Sequence, residues 1–367
     1  MSRWMKIALI ASGIAAVLGT FTYALFLRKP PTITAVTWSG PYGRAQASAL
    51  FLPYQQRTGI NLRIAQYDGG LTELRREVAT KRFDWDVIDM ELPDAITACR
   101  EGLLEPVDAT KLPAGANGEA SRLDFVDNAI GPCWVGSVVY SQVVAYAPAR
   151  FGSARAIALT DFFDTARFPG PRALKGTGAK FNLELALLAD GVAPTDIYNV
   201  LSTAAGVDRA LRKLDTIRTS IVWWSHSSEP AAMLQDGRAA FATMLNGDVF
   251  DAATHHNNLG VIWDHQLYEL DVFGIPKGDP RRTMAVDFMH FATSAQSLAS
   301  VANWVPYGPA RRSALPLVGK NPDLAIPMRP FLPTAPEHFA TAFAIDDAWW
   351  LAHHDEIAPR WREWQKR

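Results

Sequence analysis

Residues able to perform covalent or metal-dependent chemistry are present in this chain but lack the spacing that such chemistry needs. The eight histidines include two adjacent pairs, at 255–256 and 353–354, whereas two imidazoles share one helix face when they stand four residues apart. The sequence contains no Gly-x-Ser-x-Gly elbow, no Walker phosphate loop and no Gly-x-Gly-x-x-Gly fingerprint. Since no nucleophile can be paired with a base, the sequence predicts no enzyme, no metal site and no cofactor.

Aromatic and acidic side chains instead stand at the ends of predicted strands, where open α/β sheets bind their ligands. Trp38 ends the first strand, Glu91 follows the third, and Asn246-Gly247-Asp248 follows a later one. An aromatic face attracts a cation by about 0.5–2 kcal/mol, and a buried ammonium needs a carboxylate partner. These residue types favour the binding of a small amine.

Length, composition and charge narrow the class of protein further. The chain has 367 residues, of which 49% are apolar, and this is enough for two cores of ordinary domain size. The net charge of −1 argues against a nucleic-acid partner, which would require a basic surface. The lysines and arginines are scattered, as on a solvated surface.

The first 31 residues differ from the rest and predict export. Arg3 and Lys6 precede an apolar run over residues 7–27, which is followed by Arg28 and Lys29. A positive segment before an apolar run is typical of a signal peptide, and about 20 apolar residues also suffice to span a bilayer. No small-x-small cleavage site ends the run, so a removed signal peptide and an uncleaved inner-membrane anchor both fit. Either places the globular part outside the cytoplasm, in the periplasm.

Two cysteines, Cys99 and Cys133, occur in the chain. An even pair in an exported protein predicts one disulfide. Two unrelated buried thiols are the alternative. A catalytic cysteine is disfavoured because no base stands near either residue in the sequence.

Strands and helices alternate along most of the chain. Apolar patterns predict strands at 33–38, 61–67 and 85–90, separated by helices at 44–58 and 71–80. The later predicted strands and strand-like stretches are 138–146, 239–245, 259–263 and 268–275, and the last helices are 285–293, 295–302, 336–344 and 346–365. This order indicates a parallel or mixed sheet with crossover helices, arranged as two α/β lobes with the second inserted into the first.

A series of short motifs follows in a specific order from residue 37 to residue 350. They are Thr37-Trp38-Ser39-Gly40, Phe83-Asp84-Trp85-Asp86-Val87, 99–108, 131–140, 161–164, 168–172, Trp223-Trp224, 234–237, Asn246-Gly247, 274–278, 306–309 and Trp349-Trp350. In these motifs the chain resembles the periplasmic solute-binding proteins of ABC importers, of the spermidine/putrescine-binding type. The resemblance covers residue 32 to the C-terminus.

The resemblance implies a two-lobed periplasmic-binding-protein fold (type II) with a ligand cleft between the lobes. Residues 32–142 and 270–318 are then expected in lobe 1, and residues 143–269 and 319–367 in lobe 2. Residues 1–31 precede them as signal peptide or anchor. Proteins of this type have cysteines in corresponding places, which supports the disulfide.

Resemblance and strand-end position together give a set of candidate ligand contacts: Trp38, Ser39, Tyr42, Glu91, Trp223, Trp224, Asn246, Asp248, Glu269, Asp271, Trp304 and Tyr307. Asp271 matches the amine-binding aspartate of the family. Because adjacent strand side chains point to opposite sides, one of Trp223 and Trp224 is expected to face the cleft.

Each of these candidates also has a structural alternative. Trp38 could pack under its loop, and Glu91 or Asp248 could cap a helix. Asp271 could be a structural hydrogen-bond acceptor. For Arg311 and Arg312, a solvated face is favoured over contact with a ligand carboxylate.

Two departures from the resemblance narrow the expected ligand. Related sequences often carry Arg where this chain has Asp248, and an aspartate suits a cation better than a carboxylate. Gly178 and Phe181 stand where polyamine binders carry an acidic pair. A short amine or an amino-acid-like solute is therefore expected in place of a long triamine.

The sequence thus predicts a monomeric solute receptor that closes by a hinge around a small amine and delivers it to an inner-membrane ABC permease. An anchored ligand sensor on the same fold is the alternative, supported by the missing cleavage site. A hydrolase on this scaffold is a third and weaker hypothesis.

Overall fold

Strands and helices alternate through the first third of the chain in the computed structural model, which describes residues 30–255 and 258–367. The elements are β1 (Thr32–Trp38), α1 (Gly40–Gln46), a π-helical turn (Ala47–Phe51), α2 (Leu52–Thr58), β2 (Asn61–Tyr67), α3 (Thr72–Thr80), β3 (Val87–Glu91), α4 (Leu92–Arg100), α5 (Ser121–Asp124) and β4 (Val135–Tyr146). Gly59 ends α2 in a left-handed conformation, φ 72°, which glycine adopts without steric cost. The predicted signal or anchor, apart from Pro30 and Pro31, lies outside the described residues.

The middle of the chain repeats this alternation with shorter elements. They are α6 (Leu159–Phe163), β5 (Arg172–Lys175), α7 (Asn182–Ala189), α8 (Ile197–Leu201), α9 (Ala204–Asp215), β6 (Ile221–Trp224), α10 (Glu229–Gln235), β7 (Phe241–Leu245), α11 (Asn246–Thr254) and β8 (Gly260–Gly274). The last part is mostly helical: α12 (Arg282–Ala292), α13 (Ala295–Trp304), β9 (Gly308–Pro309), α14 (Pro336–Phe339), β10 (Phe343–Ala344) and α15 (Asp347–Gln365). No helix of the described residues is long and apolar enough to cross a membrane.

One mixed sheet connects the two halves of the molecule through its two longest strands. The strand order is β2-β1-β3-β8-β4-β7-β5-β6, with β10 on β8 and β9 on β4. β4 and β8 pair with each other antiparallel along most of their length. The short strands lie on either side of this central pair.

Within the described residues, three hydrophobic cores pack against this sheet. The first core takes Val138 and Val139 of β4 together with Leu270 and Val272 of β8. The second core contains Val144 of β4, Leu267 of β8 and the tryptophans of α15. Two strands therefore cross from one lobe to the other, as the predicted two-lobed fold requires. The predicted lobe boundaries remain a proposal.

A disulfide and a buried ion pair hold parts of the first lobe together. Cys99 and Cys133 are bonded, with their Cα atoms 5.8 Å apart, which confirms the predicted pairing and ties the end of α4 to the start of β4. Arg311 and Asp124 form an ion pair of 2.9 Å with both side chains fully buried. Arg311 also donates to the carbonyls of Thr293 and Pro113, both at 2.6 Å.

The ion pair corrects the expectation that Arg311 is solvated or contacts a ligand carboxylate. Its donors are already bonded inside the first lobe. Arg312 is half-exposed and bonds the carbonyl of Phe125.

Candidate functional site

Carboxylates are concentrated where β3 and β8 pair, at the junction of the two lobes. Glu91 of β3 lies directly opposite Asp271 of β8, and Glu269 stands two residues before Asp271 on the same strand. Opposite residues in an antiparallel pair share a face, as do residues two apart on one strand. Like charges directly opposite each other are destabilising, so this face repels itself unless a cation or a proton intervenes.

Glu91, Asp271 and Glu269 are called the carboxylate row below, and Asp271 is the member with an unsatisfied oxygen. It is 6% exposed, and its Oδ1 atom is buried with no hydrogen-bond donor among the described residues. Burial raises the pKa of Asp271 well above its usual value, and the charges of Asp89, Glu91 and Glu269 raise it further. A donor with a positive charge would satisfy the oxygen and relieve the repulsion.

Asp89 lies next along β3 and is held by a network of neutral donors. Its carboxylate accepts from Gln46 Nε2 and from Ser137 Oγ, both at 2.8 Å. Gln46 and Ser137 also contact the hydroxyl of Tyr42, at 2.9 and 3.0 Å. Burial raises the pKa of Asp89 to about 7, although these hydrogen bonds oppose the shift. The network fixes the Tyr42 ring beside the carboxylates.

Three tyrosines form an aromatic wall against this row. The rings of Tyr42 and Tyr307 meet edge to face at 5.4 Å, and Tyr140 lies 6.3 Å from Tyr307. Tyr140 stands opposite Glu269 in the β4–β8 pairing. Burial raises the pKa of Tyr140, as do the charges of Glu269, Glu91, Asp271 and Asp347 in that order, so its hydroxyl stays protonated among four carboxylates.

Gly247 permits the close approach of the tyrosine wall to the second lobe. A Cβ atom at this position would lie 3.2 Å from Cε1 and from the hydroxyl oxygen of Tyr307. That distance is shorter than ordinary van der Waals contact, so any side chain here would displace the Tyr307 ring.

One lysine is bonded to the carboxylate row from the second lobe. Lys180, in the loop between β5 and α7, bonds Glu269 and also donates to Asp347 Oδ1 at 2.7 Å. Asp347 is the first residue of α15. Burial raises the pKa of Asp347 to about 8, and the Glu269 charge contributes, whereas Lys180 lowers it.

Trp38, Ser39 and Trp304 belong to elements of the first lobe. Trp38 is half-buried, with its ring 4.9 Å from that of Tyr67. Its Nε1 atom is buried, and no group in the described part of the chain accepts a hydrogen bond from it. Ser39 is exposed and makes no capping hydrogen bond. Trp304 packs partly against the first core.

The predicted tryptophan pair does point to opposite sides, but neither ring joins the cluster. Trp224 is 4% exposed and lies in a core of the second lobe. Trp223 is 37% exposed, and its ring packs edge to face on Trp361 and Trp364 of α15, at 5.8 and 6.1 Å. Trp223 therefore packs on the C-terminal helix, and its contact with a ligand stays a prediction.

Asn246 has a structural role at the junction of the lobes. Its Oδ1 atom accepts from the Ser141 amide at 3.0 Å. Its Nδ2 atom donates to the carbonyls of Pro306 and Phe331, at 2.6 and 3.3 Å. The amide is thus fully used in joining the crossing strand β4 to two loops.

Asp248 lies in the first turn of α11, whose N-cap position is held by Leu245. Burial raises the pKa of Asp248 to about 6, with Asp251 adding to the shift and the Leu245 backbone amide opposing it. Asp248 Oδ2 is buried, and none of the residues that the structure describes donates to it. The pKa of Tyr307 is raised first by burial, then by the charge of Asp271 and then by that of Asp248. Asp248 therefore stands near the tyrosine wall but is not the N-cap of the helix.

The structure brings together Tyr42, Glu91, Glu269, Asp271 and Tyr307, with Asp248 nearby, and adds several residues that sequence reasoning missed. The additions are Asp89, Ser137, Tyr140, Lys180 and Asp347. Asp89 shares the strand face of Glu91, and the period of two could have revealed it. Lys180 and Asp347 lie far apart in the chain and carry no local signal.

A cavity of about 710 Å³ adjoins this cluster. It lies between residues 175–181 and α15, and Lys175, Lys180 and Asp347 are among its lining residues. Within residues 30–255 and 258–367, no group of three or more His, Cys, Asp or Glu side chains is arranged to hold a metal ion.

Comparison with known proteins identifies the family. A profile of the bacterial extracellular solute-binding proteins matches residues 49–326. The chain belongs to this family. It is 32% identical over 336 residues to the gamma-aminobutyric acid-binding protein of Pseudomonas aeruginosa, covering 92% of this chain and 91% of the relative.

Solved structures of solute-binding proteins share the fold along nearly the whole chain. A GABA receptor is 29% identical with a TM-score of 0.73, covering 91% of this chain and 97% of the receptor. An ABC transporter substrate-binding protein from Bradyrhizobium japonicum is 28% identical with a TM-score of 0.76, covering 91% and 99%. These matches confirm the two-lobed fold predicted for this solute-binding protein.

Proposed function

We propose that this solute-binding protein is the receptor of an ABC importer and that it captures a small solute through a primary amine. The two lobes close about the crossing strands β4 and β8, and the closed form docks on a membrane permease. The relatives named above support transport, since one is a transporter's substrate-binding protein. Export to the periplasm, by a removed signal peptide or with an uncleaved membrane anchor, and the monomeric state belong to this proposal.

The observation that carries the amine is the unsatisfied oxygen of Asp271. A buried carboxylate without a donor is costly, and here Glu91 faces it directly across the strand pair. An ammonium group would donate a charge-assisted hydrogen bond to Asp271 and neutralise part of the row. The tyrosine wall would cover the adjoining methylene groups.

4-Aminobutyrate is the first candidate solute. One relative and one solved structure are named for gamma-aminobutyric acid. Lys175 lines the adjoining cavity and its charge lowers the pKa of Glu91, although burial and Glu269 raise it overall. The ligand carboxylate would lie toward Lys175 while its ammonium pairs with Asp271.

A thermal-shift screen tests the proposed ligand class. The panel compares 4-aminobutyrate, 1,4-diaminobutane and other amines with sugars and with carboxylic acids that lack an amine. A true ligand at about 100 times its Kd adds roughly 2.7 kcal/mol of stability. We expect an amine to give the largest rise in Tm. A sugar or an amine-free acid that shifts Tm while every amine fails would contradict the proposal.

The response to an amine should grow with pH. Asp89 has its pKa raised to about 7 chiefly by burial, and burial raises the pKa of Asp271 and Glu91 as well, whereas unfolded carboxyl groups titrate near ~4. The folded state binds more protons between these values, so this contribution to stability is full below about pH 4 and is lost as pH rises through about 7. A cationic ligand requires the ionised carboxylates.

We therefore expect the amine-induced rise in Tm to be larger at pH 8 than at pH 5, measured at constant ionic strength. In the unliganded protein, the contribution of these carboxyl groups to stability should instead be smaller at pH 8 than at pH 5. A larger amine-induced rise in Tm at pH 5 would contradict this, because it would show that the amine binds when the carboxyl groups are protonated.

A further inference from the structure

Lys180 is surrounded by acidic groups from two other elements. Its ammonium bonds Glu269 of β8 and Asp347 of α15, whose side chains are 7% and 1% exposed, while the Lys180 side chain is 26% exposed. The loop that carries it, the crossing strand and the C-terminal helix therefore meet at one cation. Both partners are buried carboxylates, which need such a cation far more than exposed ones do.

Negative charges outnumber positive charges at the junction of the two lobes. Five carboxylates lie within one cluster: Asp89, Glu91, Glu269, Asp271 and Asp347. Among the described residues, Lys180 is the ammonium bonded directly to members of this cluster. It bonds Glu269, and no Lys or Arg within residues 30–255 and 258–367 forms an ion pair with Asp271 or Glu91.

The distance between Glu269 and Asp271 along β8 is suited to two ammonium groups side by side. Glu269 and Asp271 are two residues apart on one strand and so point to the same face about 6.6–6.8 Å apart. A short aliphatic diamine could place one ammonium at Asp271 and the other at Glu269. The second of these positions is where the Lys180 ammonium lies.

We propose that Lys180 is a built-in second ammonium that occupies the Glu269–Asp347 position and restricts the site to solutes with a single amine. This inference rests on the proposed function, because it assigns specificity to the same site. Lys180 acts as a positioning and specificity residue: it excludes a second ligand ammonium by charge and by filling its place.

Lys180→Met tests the inference with two four-carbon probes, 4-aminobutyrate and 1,4-diaminobutane, which differ at one end. Dissociation constants for both are measured by calorimetry on the wild-type protein and the variant at pH 8. We expect the wild type to prefer 4-aminobutyrate. In Lys180→Met the ratio of the two affinities should move toward the diamine by at least tenfold.

Matched controls separate this from a purely structural role. Lys180→Arg retains the positive charge and should retain the wild-type preference, while Lys111→Met removes a largely exposed lysine and should change neither affinity. A preference that shifts less than threefold in Lys180→Met would overturn the inference. If Lys180→Met is unfolded alone, recovery of its helical circular dichroism by the diamine but not by 4-aminobutyrate is expected, and any other recovery pattern overturns it.

The wild-type measurement distinguishes this inference from the proposed function. If no amine of the thermal-shift panel binds the wild type, the proposed function fails and the inference fails with it. If the wild type binds 4-aminobutyrate and Lys180→Met leaves the preference unchanged, the inference alone fails.

Discussion

Asp271→Asn should weaken binding of the amine by about 2–5 kcal/mol, or roughly 30-fold to several thousand-fold in Kd. The asparagine side chain is nearly isosteric but cannot carry the negative charge that the buried Asp271 offers to an ammonium. Calorimetric titration of 4-aminobutyrate, or of the best amine from the thermal screen, measures the loss directly.

The same substitution should leave the unliganded protein as stable as before, or more stable, at pH 8. Asp271 is buried with its Oδ1 unsatisfied, and Glu91 lies directly opposite, so removing its charge relieves repulsion. Asp127→Asn, at an acidic residue whose side chain is 85% exposed, is the matched control and should alter neither property. Wild-type affinity in Asp271→Asn would remove this residue from the site.

Arg311→Leu should destabilise the protein by about 3–5 kcal/mol, because it leaves the Asp124 carboxylate buried without its partner. The guanidinium also satisfies two backbone carbonyls in the first lobe, and their loss adds to the cost. Urea unfolding followed by circular dichroism gives the free energy of unfolding. Binding of the amine to the remaining folded protein should be unchanged, since Arg311 lies away from the carboxylate row.

Arg329→Leu is the control for this effect. Arg329 pairs with Glu337 at 3.0 Å, and both side chains are more than half exposed, so its loss should cost at most about 1 kcal/mol. If Arg311→Leu were no more destabilising than Arg329→Leu, the buried pair would not contribute as the structure indicates.

The fold was predictable where one periodicity dominates a segment. β1 and α15 lie within a residue of their predicted bounds. β8 was predicted as two strands, 259–263 and 268–275, because Asp264, His265 and Gln266 interrupt the apolar pattern. β8 runs through these residues with an irregularity: His265 has a positive φ of 53°, and the register with β4 shifts between Ile262 and Leu267. Gln266 donates to the carbonyls of Pro333 and His338, both at 2.8 Å. Such long-range partners are invisible in a local pattern.

The predicted helix 336–344 was wrong in its second half for a related reason. α14 ends at Phe339, and Phe343–Ala344 forms β10 on β8 opposite Leu267 and Tyr268. β3 pairs with β8 only beyond this point, over residues 271–274. The edge of β8 is therefore available there, and backbone pairing with it outweighs the helical pattern.

The acidic residues at the strand ends of the candidate site were predictable from the sequence, but the lysine that pairs with them, Lys180, was not. Glu91 and Asp271 each follow from position on a strand and from family resemblance, and their direct pairing adds the reason for a cationic ligand. Lys180 and Asp347 are 167 residues apart, so only the folded chain brings them together. Trp223 and Trp224 were candidates because they stand at a strand end, but Trp223 packs against α15 and Trp224 lies in a core.

The most direct test of the account is a crystal structure of the protein with the amine that raises its Tm most. We expect the ligand between the lobes, with its ammonium nitrogen about 2.7–3.2 Å from Asp271 Oδ1 and with the rings of Tyr42 and Tyr307 beside it. A ligand that presents a carboxylate or hydroxyl to Asp271, or that binds away from the carboxylate row, would contradict it.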